Sequence, residues 1–317
     1  MSISVIMTCH NEERYIEQAI RSVVSQTAYD LIDEIIVVND GSSDGSQVLL
    51  ESLAADIGKL HIIVSGGIGV SAARNLAIQR TDNDYIAFLD GDDYWAMDKT
   101  EKQMPAFEAF PAVGLVYGDF YDFTQPNASD AMLVSVRRYH ATNNKTLATY
   151  FVNDAPIIPS TMIVRKAVLD EIGLFDTKLA VGEDTDICLR IAEIWRFHHV
   201  CGGLAYKRRH GGNVTRSLEV TLPSAVMLTD RFVIRNPELA PLVRKRMARR
   251  YASVGNDCMK HGERLKAIGY LSKAFLSDPF FWRVYAYLAV TLMPAQLGPV
   301  IRYFFWGVMK SSPRDAH

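Results

Sequence analysis

The stretch YIAFLDGDDYW, residues 85–95, poses the question on which the fold turns. An apolar run, Tyr85 to Leu89, ends in three carboxylates within four positions: Asp90, Asp92 and Asp93. Carboxylates this close repel one another, so a fold tolerates them where water solvates them or where they share a cation. Taken by itself, the stretch reads as an exposed acidic turn. Its surroundings change that reading.

Upstream, ISVIMTC (3–9) and EIIVVND (34–40) are short β-branched runs. Between them, ERYIEQAIRSVVSQT places Ile16, Ala19, Ile20, Val23 and Val24 at helical spacing, which predicts a βαβ unit. SQVLLESLAADIG then reads as a second helix, LHIIVSG as a third strand, GVSAARNLAIQR as a third helix and DYIAFLD as a fourth strand. This alternation implies an α/β fold with a mainly parallel sheet, whose ligand sites lie beyond the carboxyl ends of the strands. Every strand there ends in polar or glycine-rich residues: Thr8 to Glu12, Asn39 to Ser43, Ser65 to Gly67, and Asp90 to Asp93. Four such ends on one rim form a site. NDGSSDGS lets a backbone approach a ligand, and Asp40 is placed to accept hydrogen bonds from a base or ribose; the same residues also suit a tight turn capping the next helix. GGIGVSAARN departs from the G-x-G-x-x-G fingerprint. Arg74 either reaches a phosphate or base or lies on a solvated helix face.

With 317 residues, 49% hydrophobic and 22% charged, the chain has material for one large domain or two smaller ones. Cys9, Cys188, Cys201 and Cys258 lack C-x-x-C spacing, so neither a disulfide framework nor a zinc site is indicated and a reducing cytosol is expected. MSISVIMTCHNEE has no basic n-region, and no cleaved signal peptide is expected. The net charge of −2 hides an asymmetry: from Val220 onward 15 Lys and Arg face 6 Asp and Glu. The acidic front part argues against nucleic acid, and the basic tail suggests an anionic surface.

VIMTCHNEERYIEQAIRSVVSQT, EIIVVNDGSSDGS, GVSAARNLAI, YIAFLDGDDYW and GLFDTKLAVGEDTDICLR, in this order and spacing, resemble glycosyltransferase family 2, the inverting nucleotide-sugar transferases of the GT-A fold. The resemblance covers about residues 3 to 216. It implies that the carboxylate cluster is a D-x-D motif. Asp90 and Asp92, with Asp93 as an alternative, would hold the ribose and a divalent cation, Mn²⁺ or Mg²⁺, bridging the nucleotide diphosphate. It also implies nucleoside binding by Thr8, Glu12 and Asp40, with Arg74 nearby. Cys9 and His10 stand where the family usually has Pro and a small or aromatic residue, and His10 reads as a loop residue.

The second half of the expected site lies in residues 114 to 216. GLVYGDFYDF and IIPSTMIVRKAVLDEIG read as strand-rich, the latter passing into a helix at about Lys166. GEDTDICLRIAEI opens a helix on Glu183 and Asp184, where acids also serve to cap. The resemblance makes GED the acceptor-side motif, with Asp184 the general base and Glu183 its reserve. In YKRRHGGNVT, His210 would complete the metal site with Asp92 and Asp93. Lys207, Arg208 or Arg209 would neutralise diphosphate, with Arg208 taken as the donor-binding residue; a solvated basic loop is the alternative. No Q-x-x-R-W motif and no series of long apolar spans follow, which points to single-sugar rather than processive transfer. A UDP-sugar donor and a glycan or lipid-linked acceptor follow from the resemblance and the tail.

The tail is expected to be helical. Residues 244–279 resemble one helical hairpin of the tetratricopeptide type. Between Arg283 and Arg302 lie 18 uncharged residues broken by Pro294, Gln296, Gly298 and Pro299, which predicts two short amphipathic helices rather than a bilayer span. Phe280, Phe281, Trp282, Phe304, Phe305 and Trp306 are either interfacial anchors or packing groups for the chain's own core or a dimer partner. The expected organisation is a GT-A domain over 1–219, with a nucleotide half (1–100) and an acceptor half (101–219), then a helical region over 220–317. This suggests a cytoplasmic protein resting on the inner face of the cell membrane through 279–310. Two other classes stay open: a nucleotidyltransferase, although TCHNEER lacks the glycine-rich loop with a basic pair, and a non-catalytic nucleotide-binding scaffold.

Overall fold

Four of the β-branched runs become adjacent strands. β1 (Ile3–Cys9), β2 (Ile32–Asp40), β3 (Leu60–Ser65) and β4 (Tyr85–Asp90) lie in the order β3-β2-β1-β4, all parallel. The crossovers are α1 (Ile16–Val24), α2 (Ser46–Asp56) and α3 (Val70–Ile78). α1 turns Ile16, Ala19, Ile20 and Val23 inward, where they join Val5, Met7 and Ile35 in one buried cluster. Each such side chain withdrawn from water contributes about 1.5–3 kcal/mol. The computed structural model describes residues 1–136, 146–154, 156–211 and 218–292.

The sheet continues through β5 (Tyr94–Trp95), α4 (Lys99–Gln103), α5 (Pro105–Ala109), β6 (Val113–Phe123), β7 (Met132–Val134), α6 (Thr146–Asn153), β8 (Ile163–Arg165), α7 (Lys166–Ile172), α8 (Glu183–Ile194) and β9 (Arg196–Arg208). Its order is β3-β2-β1-β4-β8-β6-β9-β5, with β7 paired to β6. The parallel character predicted from the alternating pattern holds for the first four strands. Beyond β4 the sheet is mixed, because β8 runs antiparallel to both β4 and β6 while β6 and β9 run parallel. A single sheet flanked by helices results.

Register aligns the strand ends. Thr8 stands opposite Val38 and Asp90, Cys9 opposite Asn39, and Asp40 opposite Ser65. Immediately past β4, the Gly91 amide donates to the Thr8 carbonyl at 3.1 Å. A Cβ at Gly91 would lie 2.8 Å from that oxygen, so the acidic turn lies this close to β1 because the position carries no side chain.

The chain divides into two compact units: Met1–Tyr150 with Ala155–Asn213, and Phe151–Asp154 with the chain from Val214. The second is helical, with α9 (Leu222–Arg235), α10 (Val243–Lys260), α11 (Arg264–Ser277) and α12 (Trp282–Leu292). α10 and α11 form the expected hairpin, turning at Gly262 with φ 80°. A Cβ at Gly255 would meet Leu271 at 2.8 Å, which is the closeness of their packing. Arg246 is fully buried, donates to the Phe151 carbonyl and Thr229 Oγ1, and pairs with Asp154. α12 stands where the first amphipathic helix is expected; Phe304, Phe305 and Trp306 lie outside the described residues. Among the described residues no helix is long and apolar enough to cross a membrane.

Candidate active site

The rim formed by β1, β2 and β4 meets the start of α8 and the end of β9. Asp90 lies at the tip of β4 and accepts from Arg74 Nη2 at 2.7 Å. Asp92 follows on the turn, its Oδ2 2.9 Å from His210 Nε2. Burial and the charge of Asp90 raise its pKa, against the opposing effect of His210. Glu12, in the loop after β1, completes this group: its carboxylate oxygen, the Asp92 carboxylate and a His210 ring nitrogen lie within 4.8 Å of one another. Glu12 Oε2 is buried without a hydrogen-bond partner among the described residues. Its pKa is pushed up to about 8, by burial first and then by the charges of Asp92, Asp44 and Asp90. Hard oxygens with one imidazole suit Mn²⁺ or Mg²⁺, and an orphaned carboxylate oxygen beside a second carboxylate is what a divalent ion relieves, so these residues fit such a cation. A cavity of about 350 Å³, lined by His10, Asn11, Glu12, Arg14, Tyr15 and His210, opens at this point.

The structure redistributes several expected roles. Asp93, expected as a metal ligand, points away from this group. Its carboxylate accepts from Ser160 Oγ at 2.6 Å and from the Arg208 amide at 2.9 Å, and burial with the charges of Asp92 and Asp90 raises its pKa well above the usual range. Arg208, expected to bind the donor, packs against the turn. Its guanidinium lies over Tyr15 and Phe123, and it donates to the Asp92 carbonyl and to Gln18. Arg209 pairs with Asp122 at 2.7 Å. The charge of Lys207 acts on both Asp93 and Asp184. Asp40 uses both oxygens to hold the loop after β3, accepting from Ser65 Oγ and from the amides of Ile68 and Gly69. Burial would raise its pKa, but these bonds outweigh burial and lower it. His10 is a loop residue bonded to the Asp40 carbonyl, as expected.

α8 begins at Glu183, as the sequence predicts. Glu183 Oε1 accepts from Arg74 Nη1 at 3.2 Å. Asp184 is partly exposed, accepts from the Thr185 amide, and has a pKa raised to about 6, by burial first and then by the charge of Glu183. Asp186, its neighbour in the first turn, is fully buried and tied to Arg190. The residues that sequence reading missed are Ser160, Tyr15 and Gln18, which hold the turn and its arginine. The Pro159 that starts the short 3₁₀ turn at Ser160 is the only local signal for any of them.

The fold is that of the GT-A glycosyltransferases. It matches S. aureus TarS 1-349 in its crystal structure with UDP, with a TM-score of 0.60 and 18% identity over 96% of this chain and 86% of that one. The complex of TarS with UDP-GlcNAc matches at a TM-score of 0.61. In sequence, an uncharacterized glycosyltransferase of Nostoc sp. is 26% identical over 74% of both chains. The putative teichuronic acid biosynthesis glycosyltransferase TuaG of Bacillus subtilis is 37% identical over 32% of this chain, a segment spanning 40% of that protein. Residues 4–173 match the family Glycosyl transferase family 2, and the chain belongs to it.

Proposed function

We propose that the protein is a metal-dependent, inverting glycosyltransferase that moves one sugar from a nucleotide-sugar, a UDP-sugar, to a hydroxyl of a glycan or lipid-linked acceptor in cell-surface polysaccharide synthesis. The observation that carries this reading is that two groups lie in one unit and are linked through Arg74. Glu12, Asp92 and His210 converge, and Asp184, with its pKa near 6, stands at the start of α8 beside Glu183, which Arg74 ties to Asp90. Donor class and pathway are supported by similarity to TarS, crystallised with UDP and UDP-GlcNAc, and to TuaG, named for teichuronic acid biosynthesis.

In this reading the loops after β1 and β2, with Thr8 and Asp40, border the nucleoside, and Asp90 borders the ribose. A divalent cation held by Asp92, His210 and Glu12 would supply charge neutralisation for the diphosphate. Lys207 adds positive charge on the same path. Asp184 accepts the proton of the acceptor hydroxyl as that oxygen attacks the anomeric carbon opposite the departing diphosphate, which inverts the configuration. A carboxylate titrating near 6 is unprotonated at neutral pH yet basic enough to take that proton. The tail adds a peripheral contact with an anionic membrane surface on the cytoplasmic side through 279–310, supported by Phe280, 95% exposed beside Trp282 and Arg283. Incubation with labelled nucleotide-sugars, Mn²⁺ and an acceptor extract tests the whole: nucleoside diphosphate release is expected, and pyrophosphate or no product sinks it.

A further inference from the structure

Arg74, expected from the sequence either to reach a phosphate or base or to lie on a solvated helix face, is 4% exposed. Its guanidinium spans the two halves of the site. Nη2 lies 2.7 Å from Asp90 Oδ1, on the donor side, and Nη1 lies 3.2 Å from Glu183 Oε1, on the acceptor side. The guanidinium carbon stands 5.3 Å over the ring of Phe175. The next residue reinforces the connection: Asn75 donates to the Phe175 carbonyl at 2.8 Å and accepts from its amide at 2.9 Å. Two consecutive residues of α3 thus fasten the segment leading into α8. From the other side Arg190 donates to the carbonyls of Ile172, Gly173 and Leu174.

We infer that Arg74 is a positioning residue that ties the D-x-D turn to the base, setting Asp184 against the donor by gripping its neighbour Glu183. The inference rests on the reading of Asp184 as base. Its physical ground is the shape of the guanidinium, a planar fork that bonds two carboxylates at a fixed separation, which a lysine ammonium does not reproduce. Both carboxylates are held by a cation that is itself buried, so the arrangement persists without substrate. Displacing a reacting group by about 1 Å costs on the order of 10² in rate. Glu183 is then not the reserve base but the handle by which the base is held, and Arg74 contributes to transfer without touching the nucleotide.

The test compares donor affinity with turnover. Mn²⁺-dependent UDP binding is measured by calorimetry, and UDP release at saturating donor and acceptor is measured in parallel, for wild type, Arg74→Gln, Glu183→Gln and the double variant. Arg74→Gln and Glu183→Gln are each expected to keep UDP affinity within about threefold and to lower turnover by on the order of 10². The double variant should be no worse than the poorer single one, since both break one tie. A tenfold or greater loss of UDP affinity in Arg74→Gln with turnover unchanged would make the arginine a nucleotide ligand and overturn the inference. So would multiplicative losses in the double variant. If the buried charge left by Arg74→Gln prevents folding, Glu183→Gln with Arg74→Lys decides: a folded Lys variant at wild-type turnover refutes the fork. A wild-type protein that binds no UDP and releases none fails the underlying reading instead.

Discussion

Asp184→Asn replaces an acid with an amide of nearly the same shape, at the carboxylate proposed as general base, which lies outside the arginine tie. Moving a carboxyl from 3.8 to about 6 corresponds to about 3 kcal/mol. Solvent reaching this partly exposed side chain screens roughly half of that. The folded state binds this proton more tightly than the unfolded chain, so stability falls as pH rises through the window from about 4 to 6. The cost is fully present above 6 and absent below about 4. The Asn variant should therefore be more stable than wild type by about 1.5 kcal/mol at pH 7.5, read as a rise of a few degrees in Tm, and no more stable at pH 4. Activity should move the other way, with transfer lowered by on the order of 10² to 10⁴ and UDP affinity retained. In wild type, turnover should decline as pH drops through about 6, and Glu183→Gln should shift that limb to lower pH by removing the second cause of the raised pKa. The assays are thermal unfolding at both pH values, calorimetric UDP binding, and nucleoside diphosphate release across pH. An Asn variant that transfers at the parent rate, or that gains nothing in stability at pH 7.5, refutes the assignment and leaves Asp184 a helix cap.

Asp92→Asn and His210→Ala should each weaken Mn²⁺-dependent UDP binding at least tenfold with Tm nearly unchanged, because partly exposed loop side chains carry little core packing; undiminished binding by both would remove the cation from this group. Lys99 is fully buried, its ammonium 4.1 Å from the centre of the Trp95 ring without a hydrogen-bond partner among the described residues, and burial lowers its pKa well below 10.5. The unfolded chain holds that proton to higher pH, so stability rises with pH toward 10.5. Lys99→Met should accordingly stabilise by about 1–3 kcal/mol at pH 7, with the gain shrinking by pH 10, and a loss in urea unfolding at pH 7 would refute this. A chain ending at Asp278 should lose binding to phosphatidylserine vesicles that the full chain shows at low salt, whereas equal binding by both would assign the aromatic tail to packing.

Much of the first half was legible before any tertiary contact was known. Period-2 and period-3.6 patterns place four strands and three helices within a few residues of where they lie, because a buried parallel strand must be apolar throughout and a helix covering it needs one apolar stripe. The same local logic locates the start of α7 at Lys166 and of α8 at Glu183. The mixed second half was less legible. β8 is only three residues long, and its direction follows from pairing with β4 and β6, whose partners are distant in the chain.

What the amino-acid order determined was the inventory and its neighbourhood. Strand ends rich in Asp, Asn, Ser and Gly had to lie on one rim. Which carboxylate faces which partner was decided by the tertiary structure alone. Asp92 and Asp93 are adjacent and chemically identical, yet one meets His210 and the other is taken by Ser160 and the Arg208 amide. Glu12 joins the former group, and Arg74 and Arg208 find their bonding partners in segments from 16 to 190 residues away. A side chain's charge and reach are written in its own identity. Its direction depends on the chain that packs against it, and no local pattern encodes that.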